Sequence, residues 1–404
     1  MANVKELSKK TVRTLKNEGA GAVLRKAKRK IMGTAQPQAE IYTPEDIFKD
    51  VLFINGCDVS VPHPTRYRVT HQREQLEAHN ISTAQVFYAD LQLDQVRYYR
   101  TFIFFRCPYT DVIGEFIKTA KQLNKRVLFD IDDLVVDTKY TDTIPYLSTI
   151  SKAEKELYDD GVRRMGRTLS LCDAAITTTE RLATELGNYV PEVCINRNTA
   201  SDEMYALSEK AWRSKTRTDQ TVGIGYFSGS LTHNDDFLMI LPALQDVMKN
   251  NPDVRLHVVG ELDLPEELKE LQSQVIAHPF VDWHKLPELI AKVDINIAPF
   301  EGGVFNESKS ENKWVEAALV KVPTIASNVG AFARMIDHNN TGLLCDDVKD
   351  WKEYLTRLVI DKEERERIAD NAYHYCKEHC VTLYTGMPLA EYVKKYMTEN
   401  YVFA

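Results

Sequence analysis

One stretch, Val293 to Asn328 (VDINIAPFEGGVFNESKSENKWVEAALVKVPTIASN), constrains the fold of this chain more than any other. Val293–Phe300 is a short apolar run of the kind that a strand buried on both faces requires. Gly302 and Gly303 then permit a tight turn and close backbone approach to a ligand. A helix is expected from near Ser308 to near Val320, with Pro323 just beyond its end. With the short strand at Thr324–Ala326 these pieces make a βαβ unit. In the expected helix Lys309, Lys313 and Glu316 fall at i, i+4 and i+7, which aligns two ammonium groups and a carboxylate along one stripe. Cations near a helix N-terminus behind a glycine loop suit a diphosphate, and a carboxylate two turns further in can accept from a ribose diol. A solvated charge stripe has the same spacing. Position favours the binding role, because ligands of open α/β sheets gather at the carboxyl ends of strands.

The rest of the chain repeats the alternation. Short apolar runs at Val51–Asn55, Gln85–Tyr88, Thr101–Phe105, Arg126–Asp130, Asp173–Thr177 and Val193–Asn196 are separated by segments of helical period. Ser201–Thr221 is polar, contains no strand and reads as a linker. Val222–Phe227, Val254–Val259, Val281–Trp283 and Leu343–Cys345 supply the strands of a second set. At 404 residues the chain exceeds what one core usually sustains, roughly 250–300 residues. The fold class is therefore α/β, with two doubly wound parallel sheets facing each other across a cleft. The expected domains are 45–205 and 215–385, preceded by a basic arm at 1–33. Residues 386–404 form a helix left over from the second sheet, expected to cross back onto the first domain.

Charge narrows the partners. Residues 1–31 hold ten Lys and Arg against Glu6 and Glu18, a net +8, while the whole chain carries −8, so the body is strongly acidic. An acidic body argues against nucleic acid as a partner, since phosphate neutralisation needs a positive face. Val4, Leu7, Leu15, Val23, Leu24, Ala27 and Ile31 give the arm an amphipathic period suited to an anionic membrane surface, or to packing on its own domain. No apolar run is long enough to span a bilayer, and no secretory segment follows Met1. The odd count of seven scattered cysteines fits a reducing compartment and a cytoplasmic location. Cys376 and Cys380, beside His374 and His379, lack a second ligand pair and read as buried thiols rather than a zinc site.

Further candidates lie at other strand ends. Gly229, Ser230, Thr232 and His233 follow a strand and open a helix, a setting for phosphate binding or for simple helix capping. Asp130, Asp132 and Asp133 cluster after a first-domain strand, where they could bind a metal, act as a base or cap the next segment. Gly56 ends the first strand. Arg66 and Arg68 could meet an anion from the first-domain side or form a surface pair. Gly223 and Gly225 lie inside a strand, so a dinucleotide fingerprint is not met and a nicotinamide enzyme is set aside.

The second half resembles the nucleotide-binding domain of retaining glycosyltransferases of family four, which have the GT-B fold. The resemblance runs through VGIGYFSGSLTHNDD, FVDWHKLPELIAKVDINIAPFEGGVFNESKSENKWVEAALVKVPTIAS and GAFARMIDHNNTGLL, and more loosely through DIDDL and CDAAITTTERLATEL of the first half. It implies that Glu316 binds the donor ribose, that Val304, Phe305, Asn306, Glu307, Ser308 and Lys309 contact the sugar and diphosphate, and that Gly229 and Ser230 sit near the diphosphate. Two positions depart from the family. The first glutamate of its usual pair falls at Ser308, with Glu307 one residue out of register. Its usual phosphate-binding arginine and lysine are replaced by Ser230 and by Asp235 or Asp236. Lys309 and Lys313 are the substitutes at hand.

The expectation is thus a glycosyltransferase that moves a sugar from a nucleoside-diphosphate donor, of UDP or dTDP rather than GDP type, to a glycan or lipid-linked acceptor. The resemblance implies retention of configuration and a role in bacterial surface-polysaccharide synthesis, in which some of the similar transferases are rhamnosyltransferases. Lys309 and Lys313 would stabilise the departing phosphate, Phe280 and Val281 would edge the base, and Asp132 or Asp133 would assist the acceptor hydroxyl. No metal and no cofactor is required. A peripheral position at the inner face of the membrane and a homo-oligomer are compatible with this reading. A non-catalytic nucleotide-sugar binding protein and a nucleotide-sugar epimerase are the alternatives.

Overall fold

The computed structural model describes residues 47–58, 62–215, 221–228, 234–260, 262 and 264–398. The basic arm at 1–33 and the candidates Gly229, Ser230 and His233 lie outside the described residues.

Two six-stranded sheets, parallel throughout, carry the chain. The first joins β1 (Lys49–Asn55), β2 (Thr83–Phe87), β3 (Tyr99–Phe105), β4 (Arg126–Asp130), β5 (Ala174–Thr177) and β6 (Val193–Ile195) in the order β2-β1-β3-β4-β5-β6. The second joins β7 (Val222–Ser228), β8 (Val254–Gly260), β9 (Val275–His278), β10 (Ile295–Ala298), β11 (Thr324–Ser327) and β12 (Leu343–Cys345) in the order β12-β11-β10-β7-β8-β9. The strands are apolar on both faces because helices cover both. Leu52, Ile54, Phe102 and Phe104 point into one first-domain core cluster, while Val51, Phe53, Ile103 and Phe105 point into the other. This arrangement is GT-B, with two Rossmann-like domains. The direction of winding reverses between β1 and β3 and between β7 and β10, and those switch points open a crevice at the strands' carboxyl ends.

The helix Met387–Thr398 buries Leu389, Ala390 and Val393 against Val51, Phe53 and Ile103 of the first sheet, so this helix returns to the domain of the first sheet. Gly386 makes that return possible, because φ there is +90° and a Cβ would stand 2.7 Å from the Cβ of Gln75.

Three elements differ from expectation. Residues 201–221, read as a linker, contain the helix Asp202–Arg213, capped by Ser201 Oγ accepting from Met204 N. It buries Met204, Ser208 and Ala211 along one face, a stripe too small and polar to stand out by hydrophobicity. The strand placed at Val281–Trp283 is β9, several residues earlier, and Trp283–Lys285 is a 3₁₀ turn.

The third difference is the expected helix from Ser308 to Val320. A short helix, Val304–Glu307, ends at Ser308, whose hydroxyl donates back to Val304 O at 2.7 Å. A second helix, Asn312–Leu319, begins four residues later. Lys309 therefore lies in the break, and only Lys313 and Glu316 share a helix. The break exists because this segment spends its backbone and side chains on the first domain. Thr179 Oγ1 donates to Ser308 O at 3.2 Å, Asn198 Nδ2 donates to Ser310 Oγ at 3.2 Å, and Arg197 approaches Glu311 at 3.5 Å.

Candidate functional site

The crevice holds a cavity of about 460 Å³ lined from both domains. From the second domain come Phe227 and Ser228 at the end of β7, Val259 of β8, Phe300 after β10, and Lys309, Lys313 and Glu316 of the bridging segment. Arg66, Tyr67, Arg106, Asp132, Asp133 and Asn198 close it from the first domain. Phe280, Val281 and Trp283 form one rim with His63, whose ring meets Phe280 edge-on at 5.4 Å.

Lys313 sits in the first turn of Asn312–Leu319, where Asn296 Nδ2 donates to its carbonyl at 3.0 Å and fixes the backbone. Its ammonium is buried and without a hydrogen-bond partner, resting over the rings of Tyr226 at 5.0 Å and Phe300 at 5.4 Å. Ring faces attract a cation but accept no full hydrogen bond, so the donor capacity of Nζ remains unspent. Burial lowers the ammonium to about 8, with Asp236 and Glu316 pulling the other way. One turn on, Glu316 Oε1 accepts from Tyr67 Oη at 2.6 Å and stands 3.6 Å from Arg66 Nη2. Burial raises this carboxyl above its ordinary value despite Arg66.

Arg106 supplies a second charged layer. It follows β3 in the left-handed region, with φ of 45°, a conformation that a non-glycine residue adopts at a cost of about 1–3 kcal/mol and that concentrates at functional sites. Its Nε donates to Asp132 Oδ1 and its Nη2 to Asp133 Oδ2, both at 2.6 Å. Asp133 Oδ1 also accepts from Lys309 Nζ at 2.7 Å, across the two domains. Lys309 and Arg106 together hold the Asp133 carboxyl well below the usual carboxylate range, against its burial. A carboxylate so stabilised is a poor proton acceptor. Among the described residues Asp132 keeps one fewer cationic partner, pairing with Arg106 alone.

Several expected site residues face elsewhere. Arg68 was expected to meet an anion or to lie on the surface, and it does neither. It is fully buried, doubly bonded to Asp130 with both contacts at 2.8 Å, and it also donates to Asn196 O and Asn198 Oδ1. Asp130 accepts additionally from Gln72 Nε2, so this acid is an internal strut rather than a metal ligand or base. Gly56 packs against the Arg106 carbonyl, where a Cβ would come within 2.2 Å, and so shapes the loop instead of lining the cavity. Val304 and Phe305 pack toward Leu134, Tyr140 and Leu182 of the first domain. Asn306 donates to Asp236 Oδ1 at 3.0 Å, Glu307 pairs with Arg181 at 3.4 Å, and Ser308 is buried under Thr179. These five are not among the cavity-lining residues. Lys309, the proposed phosphate cation, lines the cavity but is engaged by Asp133.

Arg106, Tyr67 and Asn198 were given no role from sequence. Arg106 follows directly on the run Thr101–Phe105, and a cation at the carboxyl end of a buried strand is the signal that would have found it. Among the described residues no group of three His, Cys, Asp or Glu could hold a metal ion, and Cys376 and Cys380 are buried free thiols. No described helix is long and apolar enough to cross a membrane.

Comparison with known proteins bears on this site. Residues 223–361, which carry Lys313 and Glu316, match the family model described as "Glycosyl transferases group 1". HepE of Anabaena, solved in complex with UDP and glucose, superposes with a TM-score of 0.55 at 14% identity, over 86% of this chain and 100% of that one. Sucrose-phosphate synthase of Thermosynechococcus elongatus superposes at 0.53 with 13% identity, over 87% and 100%. A glycosyltransferase of Rickettsia africae gives 0.55 at 11% identity, over 87% and 99%. At these identities the likeness speaks for the fold. No curated protein sequence matches the chain. With a glycosyl transferases group 1 match on the domain that bears Lys313 and Glu316, and GT-B architecture throughout, the chain is a glycosyltransferase.

Proposed function

We propose that the cavity receives a nucleoside-diphosphate sugar, of UDP or dTDP rather than GDP type, and that the enzyme transfers the sugar with retention to a glycan or lipid-linked acceptor. The observation that carries this reading is the unpartnered, buried ammonium of Lys313 one turn from the Glu316 carboxylate in the crevice between the sheets. Glu316 holds the ribose diol, Lys313 faces the diphosphate, and Phe280 and Val281 edge the base. Departure of the nucleoside diphosphate builds negative charge on its terminal phosphate, and a fixed cation in a site shielded from water stabilises that charge strongly. Asp133 is tied to Arg106 and Lys309, which supports a course without a carboxylate nucleophile and leaves Asp132 to assist the acceptor hydroxyl. A role in bacterial surface-polysaccharide synthesis, with residues 1–31 at the inner membrane face, fits the basic amphipathic arm.

The direct test mixes the protein with UDP- and dTDP-sugars and a lipid-linked acceptor, and measures nucleoside diphosphate release. Acceptor-dependent release with retained anomeric configuration is expected. Interconversion of the donor without acceptor would point to an epimerase, and binding without turnover to a non-catalytic protein.

The Lys313 environment adds a pH dependence. In the free protein the ammonium loses its proton as pH rises through about 8, whereas a bound diphosphate favours the charged form. Affinity for UDP or dTDP should therefore be level below pH 8 and fall above it, by up to about tenfold per pH unit. Calorimetric titration from pH 7 to 10 reads the slope, and Lys313→Met should flatten it.

A further inference from the structure

The first domain sends into the cavity a cation whose donors are largely unused. Arg66 occupies the π-helical turn Arg66–Thr70, a local irregularity that recurs at functional sites. Its guanidinium is stacked between the rings of Tyr67, at 4.6 Å, and Trp283, at 4.7 Å, so its plane is fixed by one aromatic from each domain. The residue is only 7% exposed. Nη2 stands 3.6 Å from Glu316 Oε1, beyond hydrogen-bond length, while Nε and Nη1 have no hydrogen-bond partner. Buried donors are rarely left unmade, and a guanidinium presents its N–H groups as a rigid planar fork. Lys313 Nζ, in the same cavity, is unpartnered too. Glu316 acts electrostatically on both cations, and Asp236 acts on Lys313 as well, yet neither carboxylate accepts a hydrogen bond from Lys313 Nζ or from Arg66 Nε and Nη1. Asp132 and Asp133, on the same cavity, are already engaged by Arg106 and Lys309.

We infer that Arg66 is the second diphosphate-binding cation of the donor site, supplied by the first domain, so that the diphosphate bridges the two sheets between Arg66 and Lys313. This rests on the nucleotide-sugar reading above. It answers the absence of arginine and lysine at Ser230 and at Asp235 and Asp236, since one cation comes from further along the second domain and the other from across the crevice. The planar fork suits two phosphate oxygens at once.

The test is calorimetric binding of UDP, dTDP and GDP, with the matching nucleosides measured by competition, to the full chain and to R66M and R66K. Methionine keeps an unbranched stem between the two rings and removes the charge. The wild type should bind one of the diphosphates, R66M should bind it at least about tenfold more weakly with nucleoside affinity unchanged, and R66K should fall between. Equal diphosphate affinity in wild type and R66M would overturn the role of Arg66 while leaving the donor site intact. Parallel loss of diphosphate and nucleoside binding would overturn it as well, by showing a packing role. Failure of the wild type to bind any of the three diphosphates would remove the donor reading itself. Should R66M not fold, R66K carries the same comparison.

Discussion

Lys313→Met is expected to lower turnover of the nucleotide-sugar donor by about 10²-fold or more, the usual cost of removing a fixed charge aimed at a developing anion. The substitution keeps an unbranched chain over Tyr226 and Phe300, and the backbone of residue 313 stays held by Asn296. The fold should survive, with a melting temperature near that of the wild type. What disappears is, among the described residues, the positive group in the cavity's second-domain wall that has no hydrogen-bond partner, Lys309 being held by Asp133. Because the charge it meets grows as the glycosidic bond breaks, kcat should fall more than KM rises. Steady-state measurement of nucleoside diphosphate release separates the two parameters. Wild-type kcat in this variant would show that the leaving group departs elsewhere.

The largest effect on stability should come from Arg68→Ala, a loss of about 3–5 kcal/mol, as expected when one partner of a buried ion pair is removed and the other is left charged. Arg68 and Asp130 are both fully buried and doubly bonded, and Arg68 also ties the helical segment after β1 to Asn196 and Asn198 beyond β6. Replacing both by apolar residues, as in Arg68→Met with Asp130→Leu, should cost much less than the sum of the single changes. Chemical denaturation of Arg68→Ala, of Arg68→Met and Asp130→Leu singly, and of the double variant measures this. A single variant of near wild-type stability but weakened diphosphate binding would return Arg68 to the anion site.

The sheets were readable because buried parallel strands are short apolar runs, and runs such as Val51–Asn55 and Arg126–Asp130 leave few alternatives. The place of Lys313 and Glu316 in the crevice was readable for a related reason, since a helix after a strand and a glycine turn delivers its side chains to the strand's carboxyl end. Lys309 was misplaced because local periodicity contains nothing about the other domain. Its helix breaks where Ser308, Ser310 and Glu311 are bonded by Thr179, Asn198 and Arg197, partners more than a hundred residues away in sequence. Arg68 and Arg66 illustrate the same limit. Two arginines separated by one residue look alike in a sequence, yet one closes on Asp130 inside the first domain and the other opens toward the crevice. Only the register of the π-helical turn separates them. The helix Asp202–Arg213 was missed because its buried stripe is methionine, serine and alanine rather than large aliphatics.

An experimental structure of the chain with its preferred nucleoside diphosphate would locate the diphosphate and the ribose. Diphosphate oxygens are expected within about 3 Å of Lys313 Nζ and ribose hydroxyls on the Glu316 carboxylate, inside the crevice between the sheets. A nucleotide seated elsewhere, with Lys313 Nζ still lying bare over Tyr226 and Phe300, would contradict that placement.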